Sequence, residues 1–305
     1  MRLVLSAASL VLLALVMGSA GGQEAEYSRK GADTCLTCHQ DQATLAVFRS
    51  KHAIPSDSRG PFGHGQLQCE ACHGPGDAHS GRVRRGQERP PVITFAGDDP
   101  TPVEQQNAMC LTCHQGDVGF GWHDGAHAGD EVACADCHVS HTASDPVLHT
   151  STQPEQCYEC HVQTKTQMQK AYSHPLVDDK MDCSSCHAVH GDSVATELVH
   201  ETVNETCESC HAEMRGPFLW EHAPVSEDCG LCHAPHGSNH PGLLSKRGPL
   251  LCQSCHSQSG HPSFAQDSDG LASDTPSQYL LGQNCMNCHS QVHGSNHPSG
   301  SKLMR

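Results

Sequence analysis

Ten copies of CxxCH run through this chain and use all 20 of its cysteines. They are Cys35, Cys38 and His39; Cys69, Cys72 and His73; Cys110, Cys113 and His114; Cys134, Cys137 and His138; and Cys157, Cys160 and His161. The second half holds Cys183, Cys186 and His187; Cys207, Cys210 and His211; Cys229, Cys232 and His233; Cys252, Cys255 and His256; and Cys285, Cys288 and His289. An even number of cysteines in an exported chain first suggests a disulfide framework. Their placement argues against it, because no cysteine falls outside a motif. Zinc knuckles would draw four ligands from paired motifs and give no reason for a His after every second Cys. A haem gives that reason: two thiols spaced by two residues add to its two vinyl groups, and the next imidazole lies beneath the iron as the proximal ligand. The motifs therefore point to ten covalently attached haem c groups, each with its iron.

Composition fits that reading. Aromatic residues make up 4% of the chain, and Gly, Pro, Ser and Asn are scattered throughout. Such a chain has too little apolar side chain to offset its ordering entropy unaided, so the porphyrins would serve as its hydrophobic core. Met1 and Arg2 precede an apolar run from Leu3 to Met17 and the small residues Gly18, Ser19 and Ala20. This reads as a signal peptide over residues 1–20, too short to favour a membrane span. Residues 21–305 are expected to form one exported decahaem domain built from five pairs of CxxCH units.

Acidic residues outnumber Lys and Arg by 34 to 18, which argues against nucleic acid as a partner. The one basic cluster, Arg82, Arg84, Arg85 and Arg89, lies in the longest interval between motifs and is followed by Pro90 and Pro91. It reads as a solvated loop, with a docking patch as the second reading. Short helices are expected within 39–52, 161–174 and 211–222, where breakers are few. The connections, rich in Gly, Pro, Asp and Ser, read as loops. The expected fold class is a multihaem cytochrome c, mostly irregular with short α-helices and almost no β structure.

Of 26 histidines, ten lie in motifs and 16 remain for the other face of each iron. Odd-numbered units are each followed by a His with Ala or Pro after it: His52, His127, His174, His222 and His261. Even-numbered units carry a close second His: His79, His141, His190, His236 and His293. These ten are the distal candidates. His64, His123, His149, His200, His240 and His297 are left as surface or second-shell residues, with His123 and His149 the nearest substitutes. Two imidazoles on opposite faces of one iron need α-carbons on the order of 12 to 13 Å apart, whereas three extended residues span at most about 10 Å. His236 therefore cannot cap the haem held at His233 and must reach a neighbouring one, and the same holds for His141 and His190.

The recurrence of CxxCH with close CHxxHG units, behind a signal peptide and without a large extra domain, resembles the MtrA/DmsE family of periplasmic decahaem cytochromes. The resemblance runs from Cys35 to His297. It implies an elongated array of ten bis-His haems seated in an outer-membrane β-barrel porin. Such a wire carries electrons between a periplasmic or inner-membrane quinol-linked cytochrome donor and an outer-surface cytochrome or terminal reductase. Metal reduction, iron oxidation and sulfoxide respiration would all use it. The pitch of 22 to 26 residues between motifs from Cys110 through Cys252 suits a linear array, with longer intervals of 34, 41 and 33 residues at the ends. A nitrite, hydroxylamine or tetrathionate reductase would need an open iron, whereas here every motif ends in His and distal candidates are in surplus. The eight Met occupy no recurring position, which speaks against thioether ligands. The expectation is an electron carrier, with a multihaem reductase or a soluble periplasmic shuttle as alternatives.

Overall fold

The computed structural model describes residues 25–116, 118, 121–191, 197–256 and 284–304. Residues 1–20 and His261 lie outside the described residues. Each motif forms one helical turn. The backbone N–H of the motif His donates to the carbonyl of the first Cys at 2.8–3.0 Å, as in His39 to Cys35, His138 to Cys134 and His233 to Cys229. A turn of that kind puts positions i, i+3 and i+4 on one face, so both thiols and the imidazole can address a single group.

The surrounding sequence sets how far each turn extends. VEQQNAMCLTCH has no Gly or Pro and follows Pro102, and it forms the longest helix, Val103–His114, with the third motif on its end. The ninth motif ends the helix Gly248–His256. Where Asp182, Asp228 or Asn284 precedes the first Cys, its side chain accepts a backbone N–H and starts only a single 3-10 turn: Cys183–Ser185, Cys229–Leu231 and Cys285–Asn287. Two expected helical spacers form, as Gln42–Leu45 with Ala46–Arg49 and Lys51–Ala53, and as Val162–Met168. The third, 211–222, is only the turn Ala212–Met214, since Gly216 and Pro217 follow at once and cannot propagate it. The two longest helices carry motifs rather than spacers, the reverse of the expectation from the sequence.

Among the described residues β structure is limited to isolated bridges, Tyr172 with Ser238, His187 with Leu198, Trp220 with Ser295 and His233 with Leu244. Two of these mark a repeat. HGSNHP occurs at 236–241 and again at 293–298, and its serine pairs both ways with an aromatic residue of an odd-unit spacer. Tyr172 and Ser238 exchange backbone hydrogen bonds of 2.9 and 2.8 Å, and Trp220 and Ser295 exchange bonds of 2.8 and 2.9 Å. The spacer of unit five thus packs on the loop of unit eight, and that of unit seven on the loop of unit ten.

The polypeptide alone has little core. Among the described residues the buried apolar ones are Ala32, Ala46, Val47, Trp122 and Ala133, while Leu148, Val162, Leu219 and Leu250 are 60–63% exposed. That is far less than a chain of this length normally buries. It agrees with a fold in which cofactors supply the apolar interior.

Gly237 is where the repeat packs most tightly. Its φ of +140° is disfavoured for L side chains, and a Cβ there would overlap the Gln167 carbonyl oxygen. Gly237→Ala is expected to cost about 2 kcal/mol through strain and overlap, whereas Gly116→Ala, where a Cβ meets open space, should be near neutral. Thermal unfolding of the two holoprotein variants by circular dichroism checks the difference.

Candidate haem sites

Consecutive motifs lie side by side along the whole chain. The first thiols of units one and two, Cys35 and Cys69, are neighbours, as are Cys110 and Cys134, Cys157 and Cys183, Cys207 and Cys229, and Cys252 and Cys285. Between these pairs, Cys72 lies near Cys110 and Cys113, Cys137 near Cys157 and Cys160, Cys186 near Cys210, and Cys232 near Cys255. The ten attachment turns follow one another in chain order. Burial and then the neighbouring thiol push Cys69, Cys229 and Cys252 up to about 11. Interaction with the neighbouring Cys134 thiol brings Cys110 down to about 7.

Eight motif histidines face a second imidazole. The ring centroids are 6.4 Å apart for His39 and His79, 6.1 Å for His114 and His52, 6.2 Å for His73 and His141, and 6.2 Å for His161 and His127. They are 6.2 Å apart for His138 and His190, 5.8 Å for His187 and His236, 6.0 Å for His256 and His222, and 6.1 Å for His233 and His293. Direct stacking would be closer. Two metal–nitrogen bonds of about 2 Å and two imidazole half-widths give roughly 6 Å, so the residues present fit an iron held between each pair.

The pairs follow a register that the sequence alone did not reveal. His52, His127 and His222, from odd units, face the motif His two units ahead. His141, His190, His236 and His293, from even units, face the motif His two units behind. His79, with no unit two places behind it, faces His39. His174 and His211 are not in a ring contact of this kind. Of the six leftover histidines, His64, His123, His149, His200 and His297 are exposed and His240 is half-buried. His149 contacts the Ser144 hydroxyl through Nε2.

Hydrogen bonds fix the ring orientations. The Nδ1–H of His127 donates to Val189 O at 3.1 Å, that of His174 to Pro235 O at 2.8 Å, and that of His222 to Val292 O at 3.0 Å. Each acceptor is the residue just before an even-unit distal candidate. In motifs, His73 donates to Ile93 O, His233 to Gly242 O and His289 to Lys302 O, all at 2.7 Å. A carbonyl can only accept, so Nδ1 carries the proton and Nε2 keeps its lone pair. Burial, and next the facing imidazole, holds His52, His141, His236 and His293 below the usual histidine range. The neutral form favoured there is the one that can bind a metal.

Comparison with known proteins matches this layout. Residues 174–216 and 222–261 match the doubled CXXCH motif family, and residues 69–153 match the NrfB-like cytochrome c-type proteins. The doubled motifs pair unit six with seven and eight with nine, a phase that a continuous row of units allows. The chain is 47% identical over 285 residues to the multiheme cytochrome MtrA of Shewanella baltica, which covers 92% of this chain and 84% of that protein. The chain belongs to the MtrA family. It is also 31% identical over 169 residues to the cytochrome c-type protein NrfB of Haemophilus influenzae, covering 48% of this chain and 70% of that one. As an MtrA-type multihaem cytochrome it holds covalent haem c through its CxxCH motifs, and its 20 cysteines fit ten haems. It is a decahaem electron conduit for extracellular electron transfer rather than an enzyme.

Two motif histidines face a carboxylate through Nδ1, His211 at 3.6 Å from Glu213 Oε1 and His138 within hydrogen-bond distance. His138 donates from Nδ1 to a carboxylate, Asp145 Oδ2, at 2.7 Å. A carboxylate partner makes a ligating imidazole a stronger donor and favours the ferric state. Asp145→Asn keeps an acceptor but removes the charge, so one of the ten midpoint potentials should rise in a spectroelectrochemical titration while the others stay in place.

Proposed function

We propose that the facing imidazoles are the axial ligands of the haem irons, so that ten bis-His haems form a continuous row in chain order. The observation that carries this reading is the set of eight ring pairs at 5.8–6.4 Å. The same register pairs His174 with His211. By elimination His261 falls to His289, since no unit lies two places ahead of the ninth. The haem supplies a one-electron iron couple delocalised over an apolar ring. The chain would bind it through two thioethers and present two neutral imidazoles, several of them oriented by hydrogen bonds from Nδ1–H to backbone carbonyls, whose Nε2 lone pairs would hold the iron. An iron so held offers no place for a substrate, which supports conduction over catalysis.

In this proposal the chain works on the periplasmic side, seated in an outer-membrane β-barrel porin. It passes electrons between a quinol-linked cytochrome donor and an outer-surface cytochrome or terminal reductase. Its family membership supports this, and among the described residues no helix is long and apolar enough to cross a membrane. A second protein would then have to carry the row of haems through the bilayer. Liposomes enclosing reduced methyl viologen, bearing the holoprotein and its porin and given external ferric citrate, test the proposal. Dye oxidation that requires both proteins is the expected result. Oxidation with the porin alone, or none with both, would overturn it in favour of a soluble shuttle.

A further inference from the structure

Charge is unevenly divided along this chain. Residues 26–91, which hold the first two motifs, carry nine Lys or Arg against seven Asp or Glu, whereas residues 92–305 carry eight against 26. Several of those seven carboxylates are already engaged. Glu70 is 3% exposed and accepts from Ser28 N, Ser28 Oγ and Gly76 N, and Asp57 pairs with Arg59. The first two units are therefore the one stretch of the polypeptide where cationic side chains outnumber carboxylates, and its exposed arginines form a local basic patch beside the propionates of the haems held there.

The basic side chains gather around the first imidazole pair. His79 donates from Nδ1 to Pro90 O at 2.8 Å, and Arg89 closes the same loop with bonds of 2.6 and 2.9 Å to His79 O and Gly81 O. Arg89 is thus a structural clamp rather than a merely solvated charge. It fixes the loop carrying Arg82, Arg84 and Arg85, all exposed, directly beside His79. Asp77 N donates to Glu26 O at 3.2 Å, which lays the segment leading to the exposed Arg29 and Lys30 along the same short helix, Asp77–Ser80. His39, the partner of His79, is itself exposed.

We propose that this basic patch is the docking surface for an acidic one-electron redox protein. Arg82, Arg84 and Arg85 attract the partner and bring its redox centre up to the haem held at Cys35, Cys38 and His39. The proposal rests on reading His39 and His79 as ligands of that haem. In each encounter one electron passes between the haem iron and the partner's redox centre, one being oxidised as the other is reduced, and no atom is transferred. The acidic remainder of the chain repels the same partner, so the charge pattern selects the patch as well as the protein.

The test uses the reduced holoprotein in stopped flow. Ferric cytochrome b5, which is acidic, is the probe and ferric mitochondrial cytochrome c, which is basic, is the control. Arg82→Glu/Arg84→Glu/Arg85→Glu should slow electron transfer to cytochrome b5 by about tenfold at low ionic strength. The difference should fade as salt rises, and the rate with cytochrome c should not fall. An unchanged cytochrome b5 rate overturns the docking proposal. So does a variant whose only defect is weaker binding to vesicles of anionic phospholipid, which would make the patch a membrane contact. An electron paramagnetic resonance (EPR) spectrum of the wild type with one high-spin haem at the His39 site would instead remove the ligand reading beneath it.

Discussion

Among the described residues, no imidazole that faces a motif histidine comes from that motif's own unit. His236 stands three residues from His233 yet faces His187, while His233 faces His293 from the last unit. A metal bond in each gap would join units that lie two apart, turning a string of local turns into a cross-linked framework. The polypeptide has little else to hold it, since its buried apolar residues are mostly alanines. Under the proposed ligation, attachment and folding would be a single process: thioethers would fix each haem to one turn, and imidazoles would tie most turns to their second neighbours.

The same constraint explains the period of the structure. Because His127, His174 and His222 each donate to the carbonyl just before an even-unit distal candidate, every spacer of this kind settles on the loop three units ahead. Gly191, Gly237 and Gly294 follow those candidates, each with positive φ and in close contact with the neighbouring spacer. His79 turns back to His39, and the long interval after the second motif becomes a loop whose Ile93 and Pro90 carbonyls orient His73 and His79.

Much of this was legible in the sequence, for physical reasons. CxxCH has a fixed spacing because one haem has two vinyl groups and one iron, and a three-residue reach excludes His236 as the cap of its own haem. The structure sets His236, His141 and His190 against His187, His73 and His138, within that limit. The choice of the second neighbour was not legible, because it depends on backbone carbonyls, such as Pro235 O, that carry no side-chain signature. The role of Asp145 was hidden for a similar reason, since a carboxylate seven residues past a motif looks like any loop acid. The 211–222 spacer was misread through its helix formers, with too little weight given to Gly216 and Pro217. The long helix at Val103–His114 carries no amphipathic period to mark it, only an uninterrupted run without Gly or Pro that passes through the third motif.

The central claim is that both axial positions of every iron are filled by imidazole. EPR of the oxidised holoprotein, with haem quantified on the same sample, tests it most directly. Ten low-spin ferric haems per chain, with no high-spin signal approaching one, are expected. A high-spin component of one haem or more per chain would contradict the continuous bis-His row.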